Sequence, residues 1–350
     1  MPAATPAGPL HVTAVLVSHD GARWLPQVLE ALAAQTRDPD VLVAVDTAST
    51  DDSVALLTAA LGAESVFAAD RDTGFGGAVS HALDRLADHD SPPPEGGWIW
   101  LLHDDCAPAP EALERLLHEA TGPGAGPEIA VVGPKVREWP SLRRLVEVGV
   151  TIAGTGARET GLEPGEPDQG QRDDPRQVLA VGTAGALVRR STWSALGGLA
   201  PQLPLFGDDL DLGWRVARAG SQVRVAPAAM VFHAEAATRD LRTPGALTGS
   251  ARRGQRSAAL FVLLANCRGA VLPVQYVRLL LGSVLRAVGL LLLKAPREAW
   301  DEIVAAVSVL ARPWRLMTAR RSRRATAQAP PAVVRPLLPS VVQPYRDGAA

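Results

Sequence analysis

Trp98-Ile99-Trp100-Leu101-Leu102-His103-Asp104-Asp105 decides the fold: five apolar residues in succession, then an imidazole and two carboxylates. Such a run reads as a buried strand with polar groups at its end. Three similar units precede it. Thr13–Ser18 is an apolar strand followed by Trp24, Leu25, Val28, Leu29 and Leu32 at helical spacing. Val41–Val45 ends at Asp46, and Ser49-Thr50-Asp51-Asp52 signals a helix start before Val54–Leu61. Ser65–Ala69, the turn Thr73-Gly74-Phe75-Gly76-Gly77 and a helix through Leu86 make the third unit. After Asp105 a helix opens near Pro110 and Glu111. Four strand–helix alternations predict an α/β fold, a mostly parallel sheet with helices on its faces. Ligands of such sheets bind beyond the carboxyl ends of the strands, where Asp46, Arg71-Asp72 and His103-Asp104-Asp105 fall.

Farther along, Arg158–Arg176 is rich in Gly, Pro, Glu and Asp and reads as a mobile surface loop. Val178–Arg189 reads as a strand of small residues and Trp193–Leu199 as a short helix ending in Gly197-Gly198. Phe206-Gly207-Asp208-Asp209-Leu210-Asp211 leads into a helix through Arg218, and Val223–Val225 and Met230–Phe232 are two short strands.

The 350-residue chain is 47% hydrophobic, which excludes a disordered chain. Its net charge of −2 hides an asymmetry. Residues 1–250 carry 19 Lys and Arg against 33 Asp and Glu, and residues 251–350 carry 16 against 4. An acidic body with a basic end points to an anionic membrane surface, and the apolar content of that end argues against nucleic acid. Cys106 and Cys267 have no metal-ligand spacing around them, so neither a disulfide framework nor a zinc site is expected. Residues 1–10 read as a disordered start without signal-peptide character, which places the chain in the cytoplasm. The body spans 11–250, a helical membrane-associating extension 251–325, and a Pro/Ala-rich tail or linker 326–350. Ala258–Leu293 is strongly apolar, but Arg268, Arg278 and Arg286 interrupt it. It falls short of the 18 or so uncharged residues of a spanning helix, so interfacial helices fit better. Arg320-Arg321-Ser322-Arg323-Arg324 adds a basic cluster.

Carboxylates at the end of a buried strand are costly unless balanced, and a divalent cation holding a diphosphate is one such balance. Alone, each cluster has an ordinary explanation. Asp104-Asp105 reads as a solvated pair, Asp208 or Asp209 as a helix N-cap, and His233 as a core histidine.

Together their order resembles the family-2 glycosyltransferases of the GT-A fold. The elements that carry the resemblance are Val45-Asp46-Thr47-Ala48-Ser49-Thr50-Asp51-Asp52-Ser53, Gly74-Phe75-Gly76-Gly77, His103-Asp104-Asp105, Val181–Leu187, Phe206-Gly207-Asp208-Asp209-Leu210-Asp211-Leu212-Gly213-Trp214-Arg215 and Val231-Phe232-His233. They cover about residues 11–235. Residues 251–320 also resemble the extension of envelope-building members from high-GC Gram-positive bacteria.

The resemblance implies an inverting transfer of a sugar from a nucleotide-diphosphate donor, uridine or thymidine favoured, to a hydroxyl of a lipid-linked or polysaccharide acceptor at the cytoplasmic face of the plasma membrane. It assigns Ser18, His19, Asp46, Arg71, Asp72, Gly74, Gly76, Gly77 and Asp104 to the nucleotide. It assigns Asp105, with Asp104 and His233, to Mg²⁺ or Mn²⁺. Asp209 matches the catalytic base, with Asp208 the alternative register. Gly182, Thr183, Ala184 and Gly185 would border the acceptor, supported by Trp214 and Arg215. A dinucleotide-dependent oxidoreductase is disfavoured because Val79 stands where the glycine fingerprint needs Gly or Ala. A non-catalytic nucleotide- or carbohydrate-binding module is the remaining alternative.

Overall fold

The computed structural model describes residues 10–88, 92–123, 125, 126, 128–239, 241, 242, 245, 246 and 249–339. The expected disordered start through residue 9 and the end of the tail from 340 lie outside them. The elements are β1 (Val12–Ser18), α1 (Leu25–Ala33), β2 (Val41–Asp46), α2 (Ser53–Leu61), β3 (Val66–Ala68), α3 (Phe75–Ala87), β4 (Trp98–His103), β5 (Cys106–Pro108), α4 (Ala112–Thr121), β6 (Ile129–Glu138), β7 (Leu145–Glu147), β8 (Thr151–Ile152), β9 (Arg158–Glu159), β10 (Arg176–Val178), β11 (Leu187–Arg189), α5 (Arg190–Leu196), α6 (Asp208–Arg218), β12 (Gln222–His233), α7 (Ala251–Asn266), α8 (Leu272–Leu292), α9 (Pro296–Leu310) and α10 (Pro313–Ala325).

The main sheet runs β10-β12-β6-β11-β4-β1-β2-β3. β3, β2, β1 and β4 are mutually parallel, as are β6 and β12, while β11 is antiparallel to both β4 and β6. Side chains alternate across it. Val15, Val17, Ile99 and Leu101 pack with α3, α5 and α6 on one face, and Ala14, Leu16, Trp98, Trp100 and Leu102 pack with α1 and α4 on the other. Helices on both faces explain why these strands read as continuous apolar runs.

Four elements differ from the sequence expectation. β6 is a ten-residue inner strand that the reading did not anticipate, its apolar run being broken by Gly133-Pro134. The expected strand Val178–Arg189 is two short strands separated by a turn, because Gly185 takes φ +86° and the Gly182 N–H donates to Glu147. The two expected last strands are one, β12, with an irregularity between Ala226 and Met230. The expected mobile loop begins with β9, hydrogen-bonded to β8. It is then pinned by Asp168, whose buried carboxylate accepts from Lys135 and Arg137.

The helices beyond residue 250 share a core with the body, where Leu260, Val262 and Leu264 of α7 pack with Leu179, Leu210 and Trp214. The helical stretch Gly269–Leu292 has 24 residues, mean hydropathy 1.4 and little cover from the rest of the chain. By length and composition it is long and apolar enough to cross a membrane, contrary to the expectation from its arginines. Arg278 bonds to the Gly154 carbonyl and Arg286 stands 3.7 Å from Glu302, so each charge has a partner elsewhere in the chain.

Candidate functional site

The chain leaves β1 for β2 on one side and reaches β4 on the other, so the strand order reverses between β1 and β4. Loops following neighbouring strands diverge there and leave a crevice. A cavity of about 660 Å³ lies at this point, lined among others by His19, Thr47, Arg71, His103, Asp105, Arg158, Thr183, Asp209 and His233.

The end of β4 and the end of β12 meet in it. His103, Asp105 and His233 offer ligand atoms that all lie within 4.8 Å of one another. His233 Nε2 is 3.2 Å from Asp105 Oδ1, and Asp105 Oδ2 accepts the Ala236 N–H at 2.8 Å. Burial raises the Asp105 carboxyl, but the His233 imidazole and the Arg242 guanidinium outweigh it and hold the group well below the usual carboxylate range. Burial and the neighbouring His233 push His103 down to about 3, so its imidazole is neutral and keeps a lone pair. Two imidazoles and a carboxylate suit a divalent cation.

Asp104, expected beside Asp105 as a ligand, is engaged elsewhere. Its Oδ2 accepts the His19 N–H at 2.8 Å and Arg242 Nη1 at 2.7 Å, and Arg242 Nη2 lies 2.6 Å from Oδ1. It does not line the cavity; His103 joins Asp105 and His233 in its stead. The Gly245 N–H donates to His19 Nε2, which puts the ring proton on Nδ1, facing Thr47.

The residues expected around the nucleotide divide. His19, Arg71 and Gly74 line the cavity, whereas Ser18, Asp46, Asp72, Gly76 and Gly77 do not. Both oxygens of Asp46 are taken by Ser49, one by its N–H at 2.9 Å and one by its hydroxyl at 2.5 Å. Asp46 therefore shapes the loop, from which Thr47 reaches the cavity. Arg71 donates to Asp20 Oδ2 at 2.5 Å and to the Ala48 carbonyl at 2.7 Å. Gly74 is glycine for want of space: a Cβ there would sit 2.5 Å from the Pro204 carbonyl oxygen. Gly76 likewise abuts Leu199. Phe75, between them, holds its ring 4.3 Å from that of His103.

Opposite stands the first turn of α6. Gly207 takes φ +71° with α7 against it, a backbone that favours glycine, and this sharp entry brings both Asp208 and Asp209 to the cavity. Asp209 Oδ2 accepts Arg158 Nε at 3.1 Å and Nη2 at 3.0 Å, and the same Nη2 lies 2.5 Å from Glu147 Oε2. Burial lowers the Arg158 pKa, but Glu147 and Asp209 together raise it further. Burial beside the Asp209 charge pushes Asp208 up to about 8. At neutral pH this acidic turn carries one full negative charge more readily than two.

Gly182, Thr183 and Ala184 line the cavity, and Thr183 Oγ1 is 2.9 Å from His103 Nε2. Gly185, Trp214 and Arg215, expected at the acceptor, lie behind the wall. Arg215 is buried, donating to Asp211 at 2.7 Å and to the Leu196 and Gly198 carbonyls, and Trp214 packs in the core shared with α7. The sequence reading missed Glu147, Arg158 and Arg242. Arg158 follows the turn Gly154-Thr155-Gly156-Ala157 in a stretch of loop-like composition, and neither it nor Arg242 has a local signal of its role.

Comparison with known proteins agrees with this architecture. Residues 9–258 match the model of a family described as "Glycosyltransferase like family 2". Over 243 residues the chain is 25% identical to N-acetylglucosaminyl-diphospho-decaprenol L-rhamnosyltransferase of Mycobacterium tuberculosis, covering 63% of this chain and 75% of that protein. It is 31% identical over 221 residues to galactofuranosyltransferase GlfT1 of the same species, covering 60% and 65%. Among solved structures, GalNAc-T7 with UDP, GalNAc and Mn²⁺ superposes with a TM-score of 0.51 at 15% identity, covering 73% of this chain and 47% of that one, so this chain spans about half its length. That likeness shows the fold. The α/β body of this chain has the GT-A fold, and the chain belongs to the family-2 glycosyltransferases.

Proposed function

We propose that the chain transfers a sugar from a nucleotide-diphosphate donor to a hydroxyl of a lipid-linked or polysaccharide acceptor in envelope synthesis, with inversion, at the cytoplasmic face of the plasma membrane. One observation carries this reading: a single cavity joins the His103–Asp105–His233 group at the strand ends to the Asp209 carboxylate at the start of α6. The donor's diphosphate belongs beside the first and the acceptor's hydroxyl beside the second. The names of the two mycobacterial relatives, a rhamnosyltransferase and a galactofuranosyltransferase, favour a deoxyhexose or hexose as the sugar, and a uridine or thymidine carrier is the donor we propose.

His103, Asp105 and His233 would hold a divalent cation, Mn²⁺ or Mg²⁺, which would supply positive charge against the negative charge building on the departing diphosphate, and Thr183 orients His103. His19, Thr47, Arg71 and Gly74 border the nucleoside side of the cavity. Asp209, which lines the same cavity from the start of α6, takes the proton of the attacking hydroxyl. Arg158 and Glu147 fix the carboxylate. The acceptor oxygen bonds to the anomeric carbon as the bond to the diphosphate breaks, so the configuration inverts in one displacement.

Calorimetric titration with uridine, thymidine and guanosine diphosphates, with and without Mn²⁺, tests the reading on wild type and Asp105→Ala. Metal-dependent binding of one nucleotide, lost in the variant, is expected. Nucleotide binding that ignores both the metal and the substitution would leave a non-catalytic binding module as the better description.

A further inference from the structure

The donor group and Asp209 leave one wall of the cavity unassigned, the wall built by α7, α8 and α9. That wall is basic. Arg252 and Arg256 of α7 and Arg286 of α8 line the cavity there, with Glu302 of α9 as the acidic residue among them. Arg256 is committed to the fold: it donates to Glu302 Oε1 at 2.8 Å, to Ser283 Oγ at 3.1 Å and to the Thr155 carbonyl at 3.0 Å. Arg286 is 46% exposed and reaches no closer than 3.7 Å to Glu302, and Arg252 is exposed. Three guanidinium groups against one carboxylate leave a surplus of positive charge facing the cavity, in the donor geometry that suits phosphate oxygens.

The same helix that supplies Arg286 carries the opposite chemistry on its outer side. Leu281, Leu285, Val288 and Leu292 recur at helical spacing and are 57%, 72%, 49% and 79% exposed. Trp300, Ile303 and Val307 of α9 extend this surface. Each such side chain left in water forgoes the gain of burial, about 25 cal/mol per Å². A contiguous apolar face of this size marks an interaction surface. A ligand that is anionic at one end and a long hydrocarbon at the other satisfies both features; a polysaccharide satisfies neither.

We infer that α7, α8 and α9 form the acceptor half of the site and take a saccharide linked through a diphosphate to a lipid. Arg252 and Arg286 receive the diphosphate, and the outer face of α8 follows the hydrocarbon chain at the membrane surface. The inference rests on the glycosyl-transfer reading, because the acceptor hydroxyl must then reach Asp209 in the same cavity. The wall and Asp209 are held together through the β8–β9 hairpin. Thr155 accepts from Arg256, Gly156 packs against the Ala259 carbonyl of α7, and Arg158 binds Asp209.

The full chain in nonionic detergent with EDTA, which silences the cation group, is titrated with geranylgeranyl diphosphate, with geranylgeraniol and with inorganic pyrophosphate. Nucleoside diphosphate binding with Mn²⁺ is measured on the same preparations. Geranylgeranyl diphosphate is expected to bind at least ~10-fold tighter than either fragment. Arg252→Ala/Arg286→Ala is expected to weaken it ~10-fold or more, and Leu281→Ser/Leu285→Ser to weaken it without changing pyrophosphate binding, nucleotide binding staying intact in both. Unchanged lipid-diphosphate binding in the arginine variant, with nucleotide binding intact, overturns this inference alone. Pyrophosphate binding as tightly as the lipid overturns the hydrocarbon half of it. Absence of nucleotide binding in the wild type would overturn the glycosyl-transfer reading and this inference with it.

Discussion

Arg158 grips Asp209 by one oxygen only: Nε and Nη2 both reach Oδ2, while Oδ1 accepts just the adjacent Leu210 N–H at 2.7 Å. A guanidinium that spans Glu147 and Asp209 fixes the carboxylate in a way that a single ammonium cannot. Arg158→Lys is therefore expected to lower kcat ~10- to 100-fold while the donor KM stays within about twofold. Arg158→Ala should also cost about 1–2 kcal/mol by denaturant unfolding, less than a fully buried pair would, because the side chain is 38% exposed.

Asp209→Asn keeps the shape of the turn and removes the proton acceptor. Turnover should fall by ~10²- to 10⁴-fold, and nucleotide binding with Mn²⁺ should be unchanged. Wild-type turnover in this variant, measured by product formation, would move the base to Asp208 or out of α6 altogether.

Asp208 gives stability a pH signature. Its folded pKa of about 8 lies above the unfolded value of 3.8, so the folded protein holds a proton that the unfolded chain releases in between. The stability this contributes is fully present below about pH 4, is lost as pH rises toward 8, and changes no further above that. Denaturant midpoints between pH 5 and 8 should therefore fall more steeply in wild type than in Asp208→Asn. Parallel profiles would mean that Asp208 does not hold that proton.

Asp211 is fully buried and accepts from Arg215 at 2.7 Å, Arg323 at 2.6 Å and Asn266 at 2.8 Å. Asp211→Asn leaves the buried Arg215 and the partly buried Arg323 without their charge partner. The expected loss is about 3–5 kcal/mol. Arg323→Gln, which removes one partner at the surface of the same cluster, should cost less.

Gly74→Ala sets a methyl against the Pro204 backbone, which cannot give way as a side-chain tip could. A loss of about 1–3 kcal/mol is expected, with weakened nucleotide binding as Phe75 is displaced from His103. Thermal unfolding and nucleotide titration of the one variant read both effects.

The parallel half of the sheet was legible because each of β1, β2 and β4 is an unbroken apolar run ending on a polar residue, and burial on both faces forces that pattern. β6 escaped because Gly133 and Pro134 interrupt a run that the sheet nevertheless buries. Asp105, Asp209 and His233 could be picked out because each stands where a regular element begins or ends, whereas His103, at the end of β4, was passed over in favour of Asp104. Arg158 could not: it reaches Asp209 across 51 residues, and its surroundings have the composition of an open loop. Asp46 and Arg215 show the converse ambiguity: a residue type that suits ligand binding also suits tying a loop or a buried turn, and here their hydrogen bonds go to protein.

Through the Asp211 cluster α10 and α7 are fastened to α6, the helix that carries Asp209, so these three helices move as one body. If the acceptor inferred above is anchored on these helices, its anchor and Asp209 would then keep a set stand-off, and a hydroxyl one sugar too near or too far would miss the carboxylate.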